Sequence, residues 1–181
     1  MKKGFTLIEM LVVIALIGIL GVGISAAITS KGDASVSQPT ITKSNEVVLP
    51  EPNGYVMDFA GILNASTKEK IETTLKALDG TAQVAVVTLV TTQPLDEKQF
   101  AIKLADKWRP GYKGKDNGII FLVVSGDRKV RIEVGRGLES VINDSKAGRI
   151  LDESVVPYLK NNDWNGGILS GVEAISREVK N

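Results

Sequence analysis

The stretch 117–135, NGIIFLVVSGDRKVRIEVG, decides the fold class of this 181-residue chain. Ile119 to Val124 form an unbroken apolar run rich in branched side chains, which suits a strand covered on both faces. Ser125-Gly126-Asp127 supply the turn. Beyond it, Val130, Ile132 and Val134 alternate with Arg131 and Glu133, so the second strand has one apolar and one polar face.

Outward from this pair the signals alternate between helix and strand. Residues 83–90 (QVAVVTLV) read as another strand buried on both faces. Ahead of it, NASTKEKIETTLKAL carries Ser66 and Glu69 at capping-box spacing, with Ile71, Leu75 and Leu78 as an apolar stripe. After it, LDEKQFAIKLADKW has acids at its start and Phe100, Leu104 and Ala105 on one face. Two further helices are expected, one opened by Asp144 and running to about Lys160, the other beginning near Trp164. Trp108 and Trp164 are expected to anchor helix ends in the core. Helices on both faces of a small mixed sheet, a three-layer α/β domain, is the simplest arrangement.

Composition narrows the chemistry. The chain has no cysteine and no histidine, which removes disulfides, thiol nucleophiles, a Ser-His-Asp triad and the usual zinc ligand sets. From Val47 onward 18 basic residues balance 18 acidic ones. A neutral domain without a basic stripe offers no case for nucleic acid.

The N-terminus, KKGFTLIEMLVVIALIGIL, follows different rules. The apolar run from Phe5 to Ile28 is ~36 Å long as a helix, enough to cross a hydrocarbon core. Lys2 and Lys3 place the start on the cytoplasmic side. Glu9 interrupts this run at a cost of roughly 2.5–3.5 kcal/mol if left alone in lipid. Residues 29–51 are rich in Ser and Thr, carry no helical periodicity, and read as a flexible polar linker.

The order Lys-Lys-Gly-Phe-Thr-Leu-Ile-Glu resembles the class III leader of type IV pilins and type II secretion pseudopilins. The resemblance implies cleavage by a prepilin peptidase after Gly4 and methylation of Phe5. It also implies pairing of Glu9 with the N-terminal amine of a neighbouring pilin-like subunit, which offsets the burial of both charges. Two features depart from that pattern: no long amphipathic helix follows the apolar run, and the run lacks a proline.

From Pro52 to Val179 the chain resembles the TPM domain, a family named for thylakoid, phosphatase and membrane proteins. The match runs through EPNGYVMDFAGIL, QVAVVTL, KWRPGYKGKDNGIIFLVV, DRKVRIEVGRGLES, INDSKAGRIL and VVPYLKNNDWNGGI. Together the two resemblances divide the chain into an anchor (1–28), a linker (29–51) and a TPM domain (52–181). They imply a single-pass protein of the inner (cytoplasmic) membrane, with the domain periplasmic or extracellular.

The acids inside these motifs are the candidate ligands: Asp58, Asp116, Glu139 and Asp144, with Asn117 beside Asp116. Oxygen ligands without His or Cys select a hard divalent cation such as Ca²⁺ or Mg²⁺, and calcium binding in some TPM domains points to Ca²⁺. Three of the six motif acids also have a structural reading, whereas Asp58 and Asp116 open no obvious helix and Glu139 lies between. Asp144 opens a helix, Asp127 serves a turn, and Glu133 lies on a polar strand face. The glycines of GYKGKDNG and of Gly135-Arg136-Gly137 do not make a P-loop, because no Lys-Ser/Thr pair follows at a helix start.

These observations point to a membrane-anchored pilin-like protein whose TPM domain binds a divalent cation and an extracytoplasmic partner protein. A tethered, metal-assisted phosphomonoesterase and a simple monomeric anchored adaptor are the alternatives.

Overall fold

The computed structural model describes residues 47–181. The expected anchor, with Gly4, Phe5 and Glu9, lies outside the described residues, as does most of the expected linker.

The domain runs β1 (Val56–Asp58), α1 (Ala65–Lys76), β2 (Gln83–Leu89), α2 (Glu97–Trp108), β3 (Gly118–Val124) and β4 (Lys129–Val134). A short 3₁₀ turn (Arg136–Leu138) follows, then α3 (Asp144–Ile150), a wider π turn (Leu151–Val155), α4 (Val156–Lys160) and α5 (Trp164–Lys180). The strands lie in the order β1-β2-β3-β4. The first three are parallel and β4 returns antiparallel to β3. The sheet is therefore mixed.

Two apolar clusters cover its faces. Val84, Val86, Ile119, Phe121 and Ile132 pack with Ile71 and Leu75 of α1 and with Ile168, Val172 and Ile175 of α5. On the other face Met57, Val87, Ile120, Leu122 and Val124 pack with Phe100 and Leu104 of α2. Alternation along β3 sends successive side chains into different layers, which is why its sequence is apolar throughout. The two crossover helices lie on opposite faces of strands that advance in one direction. The two connections thus have opposite hands, and one departs from the usual right-handed rule.

Several local details differ from the sequence reading. The N-cap of α1 is Asn64, whose side chain accepts from the Thr67 N–H at 2.8 Å, so Ser66 and Glu69 fall inside the helix. Asn143, not Asp144, caps α3, accepting from the Lys146 N–H at 2.9 Å. The expected long helix from Asp144 to Lys160 holds its path but widens at Leu151–Val155, where the Val156 N–H reaches the Leu151 carbonyl. Pro157 follows at once; its ring excludes the carbonyl four residues back, so a wider turn fits there.

The last residues of the expected linker are tied to the domain. Val47 and Leu49 pack against the α2 cluster. Lys107 donates to the Leu49 carbonyl at 2.9 Å and pairs with Glu51 at 2.7 Å. The Trp108 indole N–H donates to the Pro50 carbonyl at 2.9 Å. Trp108 thus anchors the end of α2, as its sequence position suggests, and also fastens the incoming chain.

Candidate functional site at the base of the sheet

Strand direction decides which loops meet. Asp58 lies opposite Thr88, at the carboxyl end of the parallel strands, whereas Gln83 lies opposite Gly118 at their start. The run from Gly118 to Val124 separates the two ends by roughly 20 Å at about 3.3 Å per residue. Asp58 and Asp116 are therefore at opposite ends of the sheet.

At the upper end the carboxylates serve the fold. Asp58 accepts from the Ile62 and Leu63 N–H groups at 3.1 and 2.9 Å and from the Thr88 hydroxyl, which shapes the turn at Ala60-Gly61. Thr88 is fully buried. Asp127 lies in the β3–β4 turn, but its carboxylate accepts from the Thr91 hydroxyl at 2.9 Å and so bridges to the loop after β2.

The base is a knot of backbone. The Tyr112 N–H donates to the side-chain carbonyl of Asn117 at 2.8 Å, and the Asn117 amide donates to the Thr81 carbonyl at 2.7 Å. Asn117 is 5% exposed, so its amide is committed at both ends. The Gly111 N–H reaches the Gln83 side chain at 2.7 Å. The Gly135 and Gly137 N–H groups donate to the carbonyls of Gly118 and Asp116 at 2.8 and 3.0 Å.

Close backbone contact explains the glycines. A Cβ on Gly118 would stand 1.9 Å from the Pro110 carbonyl oxygen, and one on Gly137 would stand 1.9 Å from that of Lys115. Side chains are excluded because two loops touch, not because a phosphate needs room.

Two clefts open beside this knot. The first, about 470 Å³, is lined by Arg109, Lys113 and Arg136 facing Asp106, Asp116 and Glu133. The second, about 510 Å³, is lined by Lys98, Arg131, Glu133, Glu139 and Asp144. Glu133 belongs to both, and a 2.9 Å ion pair holds it to Arg131, a closer engagement than a solvated strand residue would have. The base thus brings Asp116, Glu139 and Asp144 to one end but divides them between clefts. Among the described residues no group of three or more acids is placed to hold a metal ion. The cationic residues Arg109, Lys113 and Arg136 escaped the sequence reading, although each directly flanks a glycine or proline of the quoted motifs.

Near the first cleft Tyr55 donates to both carboxylate oxygens of Asp79, at 2.8 and 2.7 Å. That hydrogen bond, with partial burial and the negative charge of Asp79, raises the Tyr55 hydroxyl above its ordinary value of 10.0. A raised pKa favours the neutral phenol in the folded state. Its stabilisation is complete below the unfolded value and is lost as pH climbs through the raised one. Thermal midpoints from neutral pH into the alkaline range should therefore fall more steeply for the parent than for Tyr55→Phe.

A family model described as the TPM domain matches residues 56–178. A second, described as the prokaryotic N-terminal methylation motif, matches residues 1–25. Chloroplastic UPF0603 proteins of Oryza sativa subsp. indica and subsp. japonica are each 23% identical over 135 residues. That alignment covers 72% of this chain and 44% of theirs, so the chain spans less than half the length of these curated relatives. Among solved structures, the N-terminal domain of a P. gingivalis protein aligns with a TM-score of 0.65 and 30% identity, covering 70% of this chain and 82% of that one. The BA42 protein of Bizionia argentinensis shares the fold, with a TM-score of 0.55 and 16% identity over 65% of this chain and 81% of its own. Matched over residues 56–178, the chain belongs to the TPM domain family and carries an N-terminal methylation motif ahead of that domain.

Proposed function

We propose that this is a pilin-like membrane protein that displays its TPM domain outside the cytoplasmic membrane as a docking head for a partner protein. One observation carries the reading: a methylation motif and a TPM domain stand in one chain, at residues 1–25 and 56–178. The prepilin peptidase is the expected processing partner, acting after Gly4, and Glu9 is the residue through which pilin-like subunits would associate.

The base of the sheet is the favoured docking face. Its hydrogen-bonded loops bring Arg109, Lys113 and Arg136 into one cleft with Asp106, Asp116 and Glu133, a mixed-charge surface that suits a complementary protein patch. No step of this reading runs through a metal. Asp58 and Asn117 are committed to the fold, and the rest of the expected calcium set is divided between two clefts. The phosphatase alternative needs such a metal beside a substrate, so the docking reading is preferred.

Co-expression of the full chain with a prepilin peptidase, followed by mass spectrometry of the mature N-terminus, tests the anchor. Cleavage after Gly4 with a methyl group on Phe5 is expected, together with lost subunit association in Glu9→Ala. An intact leader, or association untouched by Glu9→Ala, overturns the pilin part. Calorimetry with Ca²⁺ on the same preparation tests the cation separately, and saturable binding abolished by Asp116→Ala would assign it to the base.

A further inference from the structure

β4 is an edge strand, and its backbone has a defined free side. The Gly135 N–H donates to the Gly118 carbonyl at 2.8 Å, and Glu133, Arg131 and Lys129 stand opposite Ile120, Leu122 and Val124. In an antiparallel ladder alternate residues bond to the neighbour, so these residues face β3. The N–H and C=O groups of Val130, Ile132 and Val134 then point the other way. Among the described residues no strand lies on that side.

The side chains of this edge divide cleanly. Ile132, only 3% exposed, packs into the first core with Val130 and Val134 against it. Arg131 and Glu133 occupy the other face, paired with each other and with side chains 28% and 22% exposed. The cleft of about 510 Å³ lies along this face, lined by Lys98, Arg131, Glu133, Asn143 and Asp144.

We propose that β4 pairs with β4 of a second copy of this chain, antiparallel, about a two-fold axis through Ile132. In that register Ile132 faces its own counterpart and Val130 faces Val134 of the second copy. All of their free N–H and C=O groups become paired. Arg131 then faces Glu133 of the second copy at a non-hydrogen-bonded position, where Cα atoms approach to about 4.5 Å and side chains interact most.

Charge disfavours the nearest registers. Moving the axis to Arg131 or Glu133 sets like charges directly opposite each other. Moving it to Val130 sets Lys129 against Arg131. Centred on Ile132, both Arg-Glu contacts are attractive. A lone inward charge commonly protects an edge strand from pairing, because it meets no mate. The Arg-x-Glu spacing here is self-complementary, which gives the isologous contact of a two-fold dimer.

The chain contains no cysteine, so introduced thiols report without background. Full-length Arg131→Cys and Glu133→Cys variants, each purified in detergent and checked for native circular dichroism, would be oxidised mildly, alone and mixed. A disulfide-linked dimer in the mixture but in neither variant alone is expected. No dimer in the mixture, or equal cross-linking of either variant alone, overturns the register. Sedimentation velocity provides an independent readout that needs no thiol. Arg131→Glu should lower the dimer fraction by roughly tenfold, since like charges then oppose, and adding Glu133→Arg should restore it. Failure of the double exchange to restore association overturns the proposal. Processing after Gly4 is untouched by either result, so the anchor reading stands or falls separately.

Discussion

Gly118→Ala is expected to be the most damaging single methyl addition in the domain. The new Cβ would lie 1.9 Å from the Pro110 carbonyl oxygen and 2.3 Å from its carbon. Both are backbone atoms, so no rotamer change relieves the contact. The loop 109–117 must move away, and with it go the bonds from Gly111 to Gln83 and from Tyr112 to Asn117. Overpacking alone costs about 1–3 kcal/mol, and each lost hydrogen bond adds about 1 kcal/mol. Against a typical domain stability of about 5–15 kcal/mol, such a loss is large. Urea denaturation should show a midpoint far below the parent's. Gly148→Ala is the control: nothing lies within 4 Å of its Cβ position in α3. A helix-interior Gly→Ala change there should raise stability by about 0.5–1 kcal/mol. Equal midpoints for the two variants would remove the close-approach argument.

Asp58→Ala is expected to cost about 3–5 kcal/mol, because unsatisfied buried groups cost about 1–3 kcal/mol each. The substitution leaves the Leu63 N–H, the Ile62 N–H and the buried Thr88 hydroxyl without this acceptor. The Ala60 N–H, which donates to the Thr88 oxygen at 3.2 Å, would lose its fixed partner as well. Asp58→Asn should fall between parent and alanine, since one amide oxygen still accepts while the NH₂ faces other donors. Thermal unfolding decides the matter. An Asp58→Ala protein with an unchanged midpoint would return this residue to the candidate ligands, because its carboxylate would then be dispensable to the fold.

Helices and strands with strong local patterns were legible from the chain. The buried strands β2 and β3 are continuous apolar runs, and the alternation of β4 marks its two faces. Helix α2 and the start of α5 follow their capping residues, Asp96 and Asp163, which accept from the Gln99 and Gly166 N–H groups. The three-residue β1 was not legible, because its identity as a strand depends on pairing with Val86, Val87 and Thr88. Competing caps misled the reading at α1 and α3. Asn64 and Ser66, or Asn143 and Asp144, all suit a helix start, and only backbone conformation selects between them.

The candidate ligands show the same division. Motif membership singled out Asp58, Asp116, Asn117, Glu139 and Asp144, but acids in equivalent-looking glycine loops were assigned to different ends by strand direction. Sequence by itself determined that the chain has no thiol or imidazole chemistry, that it alternates helix and strand, and that a methylation motif precedes a TPM domain. Those properties are local: they depend on residue type and on periods of two or 3.6 residues. Tertiary structure alone decided that Asp58 and Asp116 stand apart, that Arg109, Lys113 and Arg136 share a cleft with Asp106 and Glu133, and that β4 is left at an edge. Contacts between distant segments arise from strand order and crossover path, and no short stretch of sequence carries that information.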